Sequence, residues 1–374
     1  MKTAAEVWFA PGRANLMGEH TDYNEGLVLP FALARGVTAA AAARDDGLLV
    51  LRSKQVPDEA VTVPLDSLAP GSVRGWAAYP AGVAWSLRTA GYPVRGASVD
   101  VDSDLPVGAG VSSSAALECS VALALCSLSG LSVPRPELAG IAKRAENEFA
   151  GAPTGIIDQS AALLCEAGHA MLLDCRTRRA TQVPFLPPSA DGVGAGAVAL
   201  IIDTRVTHAL VSGDYAARRA ECEEAARLLR VRALGSVSDL GRLTEIGDPV
   251  LRRRARHVIT DCARARGMSA AMLAGEGEIY PYLGRLLLEG HASLRDDFEV
   301  SWPEADVAVE AATAAGAYGA KMIGGGFGGS VLALVPVNRD REVRAALTEA
   351  YAGRGWIPPD FIDAVPSPAA RRLR

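Results

Sequence analysis

The apolar positions of this chain change their spacing along its length, and those changes mark out its elements. Runs over residues 7–10, 27–33, 37–43 and 48–53 read as strands, helical spacing follows over 76–89, and 97–101 reads as another strand. Two helical patterns cover 113–128 and 136–149, and segments 156–164 and 169–174 close this half. Between 176 and 197 the chain turns rich in breakers: Pro184, Pro187-Pro188, Gly192, Gly194 and Gly196. The domain boundary is expected there, giving domains over 1–185 and 196–374. The second half opens with a strand over 198–203 and turns helical over 215–229, 249–265 and 304–315. A glycine cluster over 324–329, a strand over 331–336 and a helix over 341–353 complete it. Both halves therefore predict a sheet covered by helices, with no repeat of 20–50 residues.

Composition narrows the function classes. The 374 residues exceed what one core of ordinary size needs, and 49% hydrophobic with 22% charged residues speaks against extended disorder. A net charge of −5 supplies no global field for nucleic acid or an anionic membrane. The longest uncharged stretches, 322–338 and 119–134, hold 17 and 16 residues and are too short to span a bilayer. Lys2 and Glu6 interrupt the N-terminus before an apolar run can form, so no secretory core is expected and the chain reads as cytoplasmic. A monomer or weak homo-oligomer is expected. Six cysteines without a Cys-x-x-Cys pair suit buried, reduced thiols, and His169, His208, His257 and His291 lack metal-ligand spacing.

The candidate chemistry sits in a few segments. Leu105-Pro106-Val107-Gly108-Ala109-Gly110-Val111-Ser112-Ser113-Ser114 follows a strand and opens a helix. Free backbone N–H groups and the positive helix end would face an anion there, the glycines allow close approach, and a serine hydroxyl can reach a triphosphate-bound Mg²⁺. The same residues would also serve as a Ser-capped helix start after a tight turn. No Gly-Lys-Ser/Thr phosphate loop, His-Arg-Asp or Asp-Phe-Gly is present, and the 324–329 glycines precede a strand, which excludes a dinucleotide fingerprint. Pro11-Gly12-Arg13-Ala14-Asn15-Leu16-Met17-Gly18-Glu19-His20-Thr21-Asp22-Tyr23-Asn24 crowds a guanidinium, carboxylates and imidazole beside an apolar strand. Such density needs partners when buried, and it matches sugar hydroxyls better than a phosphate, which carboxylates would repel.

These segments carry a resemblance. Residues 12–24 are similar to the galactokinase signature, the glycine–serine loop resembles the second motif of the GHMP small-molecule kinases, and Lys321-Met322-Ile323-Gly324-Gly325-Gly326-Phe327-Gly328-Gly329-Ser330 resembles their third, in the same order. Segments 145–151, 155–159, 207–219, 254–258 and 293–301 extend it over residues 7–335. Glu25, Thr154 and Trp302 depart from the family's usual residues and bear on fine specificity. The resemblance implies an α+β, two-domain GHMP kinase fold, with an N-terminal domain like domain 2 of ribosomal protein S5, a ferredoxin-like C-terminal domain and the active site in the cleft between them.

It also implies roles. Asp158 and Arg13 would act at the transferred group, since an aspartate of ordinary pKa, about 4, is ionised at pH 7 and can take a hydroxyl proton. Arg13 would face the charge developing on the γ-phosphoryl group. Glu19, His20, Thr21, Asp22 and Tyr215 would bind the sugar. Gly108, Ala109, Gly110, Val111, Ser112, Ser113 and Ser114 would hold ATP, with Trp76 stacking on adenine, and Ser114 and Glu146 would ligate Mg²⁺. The expected reaction converts α-D-galactose and ATP to α-D-galactose 1-phosphate and ADP. A kinase for N-acetylgalactosamine or arabinose, or a non-catalytic galactose/ATP sensor, are the alternatives.

Overall fold

The computed structural model describes residues 5–106, 108–186, 196–207, 211–275 and 279–374. Val107, His208 and residues 187–195 of the breaker run lie outside the described residues.

The elements of the first half are β1 (Glu6–Asn15), β2 (Leu27–Val28), β3 (Pro30–Arg44), β4 (Leu48–Ser53), β5 (Val56–Pro64), α1 (Ala78–Thr89), β6 (Gly96–Ser103), α2 (Ser113–Leu128), α3 (Arg135–Arg144), α4 (Ile157–Leu164), β7 (His169–Asp174) and β8 (Arg179–Pro184). The second half contributes β9 (Ala197–Asp203), α5 (Val211–Leu228), α6 (Pro249–Ala274), α7 (Ile279–Ala292), α8 (Pro303–Ala314), β10 (Gly319–Ile323), β11 (Ser330–Pro336), α9 (Asp340–Ala352), β12 (Asp360–Asp363) and β13 (Arg371–Arg372).

In the first sheet the order is β13-β1-β3-β6-β4-β5, and β2, β7 and β8 form a small second sheet. β1 pairs antiparallel with β3, with a register shift between Pro11 and Arg13. Proline cannot donate to the ladder, and a bulge there re-aims the following side chain. The Arg13 N–H bonds Val111 O at 3.1 Å, tying this strand to the glycine–serine loop. Helix α2 is small and apolar on nearly every side and is buried accordingly, packing on β1 and β3 with its N-terminus toward the cleft.

The second-half sheet has the order β10-β11-β9-β12, all antiparallel, with α9 between β11 and β12. That connectivity is the split βαβ, ferredoxin-like arrangement. The expected two-part α+β architecture is thus present, but the halves are not sealed from each other. One apolar cluster runs from Ala10 through Met268 and Leu283 to Ala370, and β13 at the chain's end pairs with β1. The tail after β12 therefore returns to the first half, where the sequence boundary assigns all of 196–374 to the second.

Candidate active site

Where the two halves meet, a cavity of about 320 Å³ is lined by the 13–22 segment, the 108–114 loop, 154–158, Tyr215 and Gly324-Gly325. Its chemistry starts at Arg13, which is nearly buried. Arg13 Nε donates to Asp158 Oδ1 at 2.8 Å and Nη1 to Gly110 O at 2.5 Å, so one guanidinium joins the first turn of α4 to the glycine–serine loop. Gly12 permits this approach, because a Cβ there would lie 2.6 Å from Val111 O.

The loop presents its backbone to the cavity through unusual conformations. Gly108 and Gly110 have φ of 81° and 71°, and Ser112 adopts φ 63°, a left-handed state that a side chain occupies only under constraint. Gly324 follows with φ 86°, its Cβ direction 3.4 Å from Gly110 O, so the third glycine motif closes over the second. Ser330 Oγ donates to Ala109 O at 2.7 Å and fastens that contact.

The polar segment folds back beneath this loop. His20 Nε2 lies 3.1 Å from Gly325 O, a carbonyl that can only accept, so Nε2 carries the proton. Nδ1, 3.0 Å from Tyr23 Oη, then accepts from that hydroxyl. Burial, followed by the charge of nearby His257, pushes His20 down to about 3. Phe298 and Tyr215 flank the ring at centroid distances of 4.7 and 5.2 Å. Asp22 is held above the usual carboxylate range by burial and by Asp158 nearby. Gly155 must lack a side chain, since a Cβ would sit 1.5 Å from Asp22 Oδ2.

Glu19 is divided between two tasks. Its Oε2 pairs with the fully buried Lys321, while Oε1 has no hydrogen-bond partner among the described residues and Glu19 lines the cavity. Burial raises the Glu19 carboxyl and Lys321 opposes that shift.

Behind Ser114 lies a buried carboxylate network. Ahead of α4 the helix α3 runs into a π turn over Ala145–Ala150, a form common at functional sites, and this turn carries Glu146. Glu146 Oε1 accepts from Ser114 Oγ at 2.8 Å; Oε2 accepts from Thr154 Oγ1 and Gln159 Nε2, both at 2.7 Å. Gln159 Nε2 also donates to Glu118 Oε2 at 3.0 Å. Burial raises both carboxyls, Glu118 the more, and neither has an ion-pair partner among the described residues. Glu118 Oε1 has no hydrogen-bond partner among the described residues. Two buried carboxylates without a cation are costly, and a hydroxyl beside a carboxylate at a phosphate loop is an oxygen set that suits a hard divalent cation.

Three comparisons bear on this geometry. Family models match the galactokinase galactose-binding signature over residues 2–43, the GHMP kinases N terminal domain over 78–166 and the GHMP kinases C terminal domain over 279–353. Galactokinase of Streptomyces coelicolor is 47% identical over 371 residues, covering 98% of this chain and 94% of that protein. The chain belongs to the galactokinase family. Galactokinase of Mycobacterium tuberculosis is 42% identical over 367 residues, covering 98% of each chain. The solved structure of Lactococcus lactis galactokinase complexed with galactose superposes with a TM-score of 0.93 at 33% identity, covering 100% of this chain and 96% of that one. A Methanococcus jannaschii mevalonate kinase, at 15% identity and TM-score 0.67, shares the fold.

Against this family frame, most of the sequence-selected residues converge. Arg13, Asp158, Glu19, His20, Asp22, Tyr215, Gly108, Gly110, Val111, Ser112, Ser113 and Ser114 line one cavity, with Glu146 directly behind Ser114. Besides Glu146, three do not line it. The Thr21 hydroxyl faces Gly18 O and Leu27 O at 2.8 and 2.7 Å, and so shapes the turn. Ala109 is buried under Ser330. Trp76 sits in the 3-10 turn Gly75–Ala77, half-buried against the first core, and its indole N–H has no partner among the described residues.

Sequence reasoning passed over Lys321 as a functional group, and also Gln159, Glu118 and Gly155. Lys321 left a readable signal: it is one of the chain's few lysines and stands within an otherwise apolar strand beside the glycine loop.

Proposed function

We propose that this chain transfers the γ-phosphoryl group of ATP to the anomeric hydroxyl of α-D-galactose, giving α-D-galactose 1-phosphate and ADP. The observation that carries the reading is the 2.8 Å Arg13–Asp158 pair at the meeting point of the sugar segment and the phosphate loop. Asp158 accepts the hydroxyl proton as the oxygen attacks. Arg13 orients that carboxylate and faces the charge gathering on the transferred group. Backbone N–H groups of residues 108–114 and the start of α2 hold the phosphates. The free oxygen of Glu19, with Asp22 and Tyr215, fixes the sugar hydroxyls. Neutral His20, its two ring nitrogens held by Gly325 O and Tyr23 Oη, shapes that wall without adding charge.

Ser114 and Glu146 would hold Mg²⁺. When bound, the metal neutralises phosphate charge. Gln159 and Thr154 keep the Glu146 carboxylate turned toward Ser114. Among the described residues no helix is long and apolar enough to cross a membrane, and all six cysteines are free. Free, mostly buried thiols suit a reducing compartment such as the cytoplasm.

The intact Arg13–Asp158 pair favours turnover over a sensor role. The test is ATP consumption by the purified protein across monosaccharides, with the product's phosphate position located by NMR. Losing a buried hydrogen-bond partner costs about 1–3 kcal/mol, so glucose should trail galactose in kcat/KM by about ten- to a hundredfold. Equal values refute the assignment, and a preference for N-acetylgalactosamine moves the substrate to that sugar.

A further inference from the structure

A second cavity lies on the far side of the sugar segment, and its charges have no part in phosphoryl transfer. It encloses about 530 Å³, within the range of about 300–1,000 Å³ usual for small-molecule sites. Its walls come from residues 25–27, Asp174 and Arg176, residues 235–238 with Leu240, and one side of α6 between Ile259 and Arg266.

Two carboxylates and three guanidinium groups line it, and the carboxylates are already engaged. Glu25 pairs with Arg232 at 2.8 Å. Asp174 Oδ1 accepts the backbone N–H groups of Arg176 and Thr177 at 2.9 and 3.1 Å. Arg264 is fixed by Asp261 Oδ1 at 3.0 Å and by the Thr260 hydroxyl at 3.1 Å, through Nε and Nη2. Its Nη1 is unpartnered, and Arg176 and Arg266 have no ion-pair partner, among the described residues. Ser236, Ser238 and Thr260 add hydroxyls. Arg232 offsets Glu25 and Asp261 offsets Arg264, which leaves Arg176 and Arg266 facing the charge of Asp174; that excess of guanidinium suits an oxyanion, whose oxygens guanidinium forks match in pairs.

We propose that this cavity binds a phosphomonoester the size of a hexose phosphate, and that its occupancy is coupled to the sugar segment through Asp261 and Cys262. Asp261 is the hinge of the coupling: Oδ1 holds Arg264 while Oδ2 accepts the Gly18 N–H at 2.8 Å, and Gly18 lines the first cavity. Cys262 Sγ accepts the Leu27 N–H at 3.4 Å. No slack separates these elements, because a Cβ on Gly26 would lie 2.6 Å from Cys262 Sγ. An anion that draws the Arg264 fork toward itself changes what Asp261 offers to Gly18.

The binding half stands whatever the sugar substrate; the coupling half rests on the galactose reading above. The test uses the full chain at constant ionic strength, its first cavity saturated with galactose, Mg²⁺ and a non-hydrolysable ATP analogue. Calorimetric titration with glucose 6-phosphate should give saturable binding, inorganic phosphate weaker binding, and sorbitol none. Arg176→Ala/Arg266→Ala should weaken glucose 6-phosphate by about tenfold or more. In initial-rate assays the same ester should shift the galactose KM at least about twofold for wild type and leave it unmoved in the double variant, whose basal turnover stays at the wild-type level. Absence of saturable binding, or equal affinity in the double variant, overturns the site. Phosphate binding as tightly as the ester overturns the assigned size, and a bound ester that leaves the KM unchanged overturns the coupling. Failure of wild type to turn over galactose would count against the proposed function and leave the calorimetric result standing.

Discussion

His20 shows how far one side chain can be displaced from its solution behaviour. Its hydrogen bonds fix the tautomer, and burial holds it at about 3, so it stays neutral through the whole range where free histidine titrates. The unfolded chain takes up a proton near the ordinary value of about 6.5. Between there and about 3 the unfolded state therefore binds more protons, and stability is full above pH 6.5 and falls as pH drops through that window, by at most about 1.4 kcal/mol per pH unit for this group. Buried carboxyls such as Glu118 are shifted upward and act with the opposite sign, so the contribution of His20 is isolated by difference. Urea unfolding of wild type and His20→Gln from pH 7.5 to 4.5 should show a shallower loss in the variant; parallel curves would mean that His20 is not buried neutral. Asp158 calls for a kinetic measurement. Asp158→Asn keeps an acceptor for Arg13 but takes no proton, so single-turnover transfer should fall about 10²–10⁴-fold while galactose affinity by calorimetry survives. A rate within about fivefold of wild type would leave Asp158 a positioning role only.

The π turn and α4 act together at the level of elements. One Gln159 amide nitrogen serves two carboxylates, on the π turn and on α2, and so holds Glu146 against Ser114. Groups that orient metal ligands in this way are commonly worth about 10–100-fold in metal affinity. Gln159→Met, close in volume, should raise the Mg²⁺ dissociation constant of the ADP complex by that factor in calorimetric titration; an unchanged constant would reduce the network to packing. Nothing in the sequence announced this link, because Gln159 and Glu118 meet only once α2 and α4 cross. Elements were legible where pattern and propensity agreed, as in α2, whose observed ends coincide with its apolar spacing. They were hidden where local chemistry argued against them. β5 carries prolines and acids on an exposed edge and is held by its ladder to β4; α7 contains Pro281 and Gly284, and that glycine is required because a Cβ would meet Tyr318 O at 2.1 Å. β10 hides its strand character behind Lys321, a buried charge that only its partner Glu19 explains. The site read more clearly than the scaffold because motif residues sit close in sequence, whereas Thr21 shows that motif membership does not settle which way a side chain faces.

At the scale of the whole molecule, the second half has a core of its own on β9, α5, α8 and α9, but the larger cluster spans both halves, and cooperativity follows from that shared part. Chains of this length commonly unfold domain by domain, since separate cores melt separately. Here one apolar cluster takes residues from β1, α2, α6, α7, β11 and the tail leading to β13, so neither half can open without exposing surface of the other. The ligand cavity adds to this, because its walls come from both halves. Calorimetry should therefore show a single transition, shifted upward as one by galactose with Mg²⁺ and an ATP analogue, by mass action on the folded state. Leu283, buried on α7 within that shared cluster, provides the sharper test. Leu283→Ala removes about 2–5 kcal/mol through lost burial and the cavity left behind. If the core is one cooperative unit, the entire transition moves down without broadening, although the substitution lies in the second half. Two resolved transitions, or a shift confined to part of the melting heat, would show that the halves unfold independently.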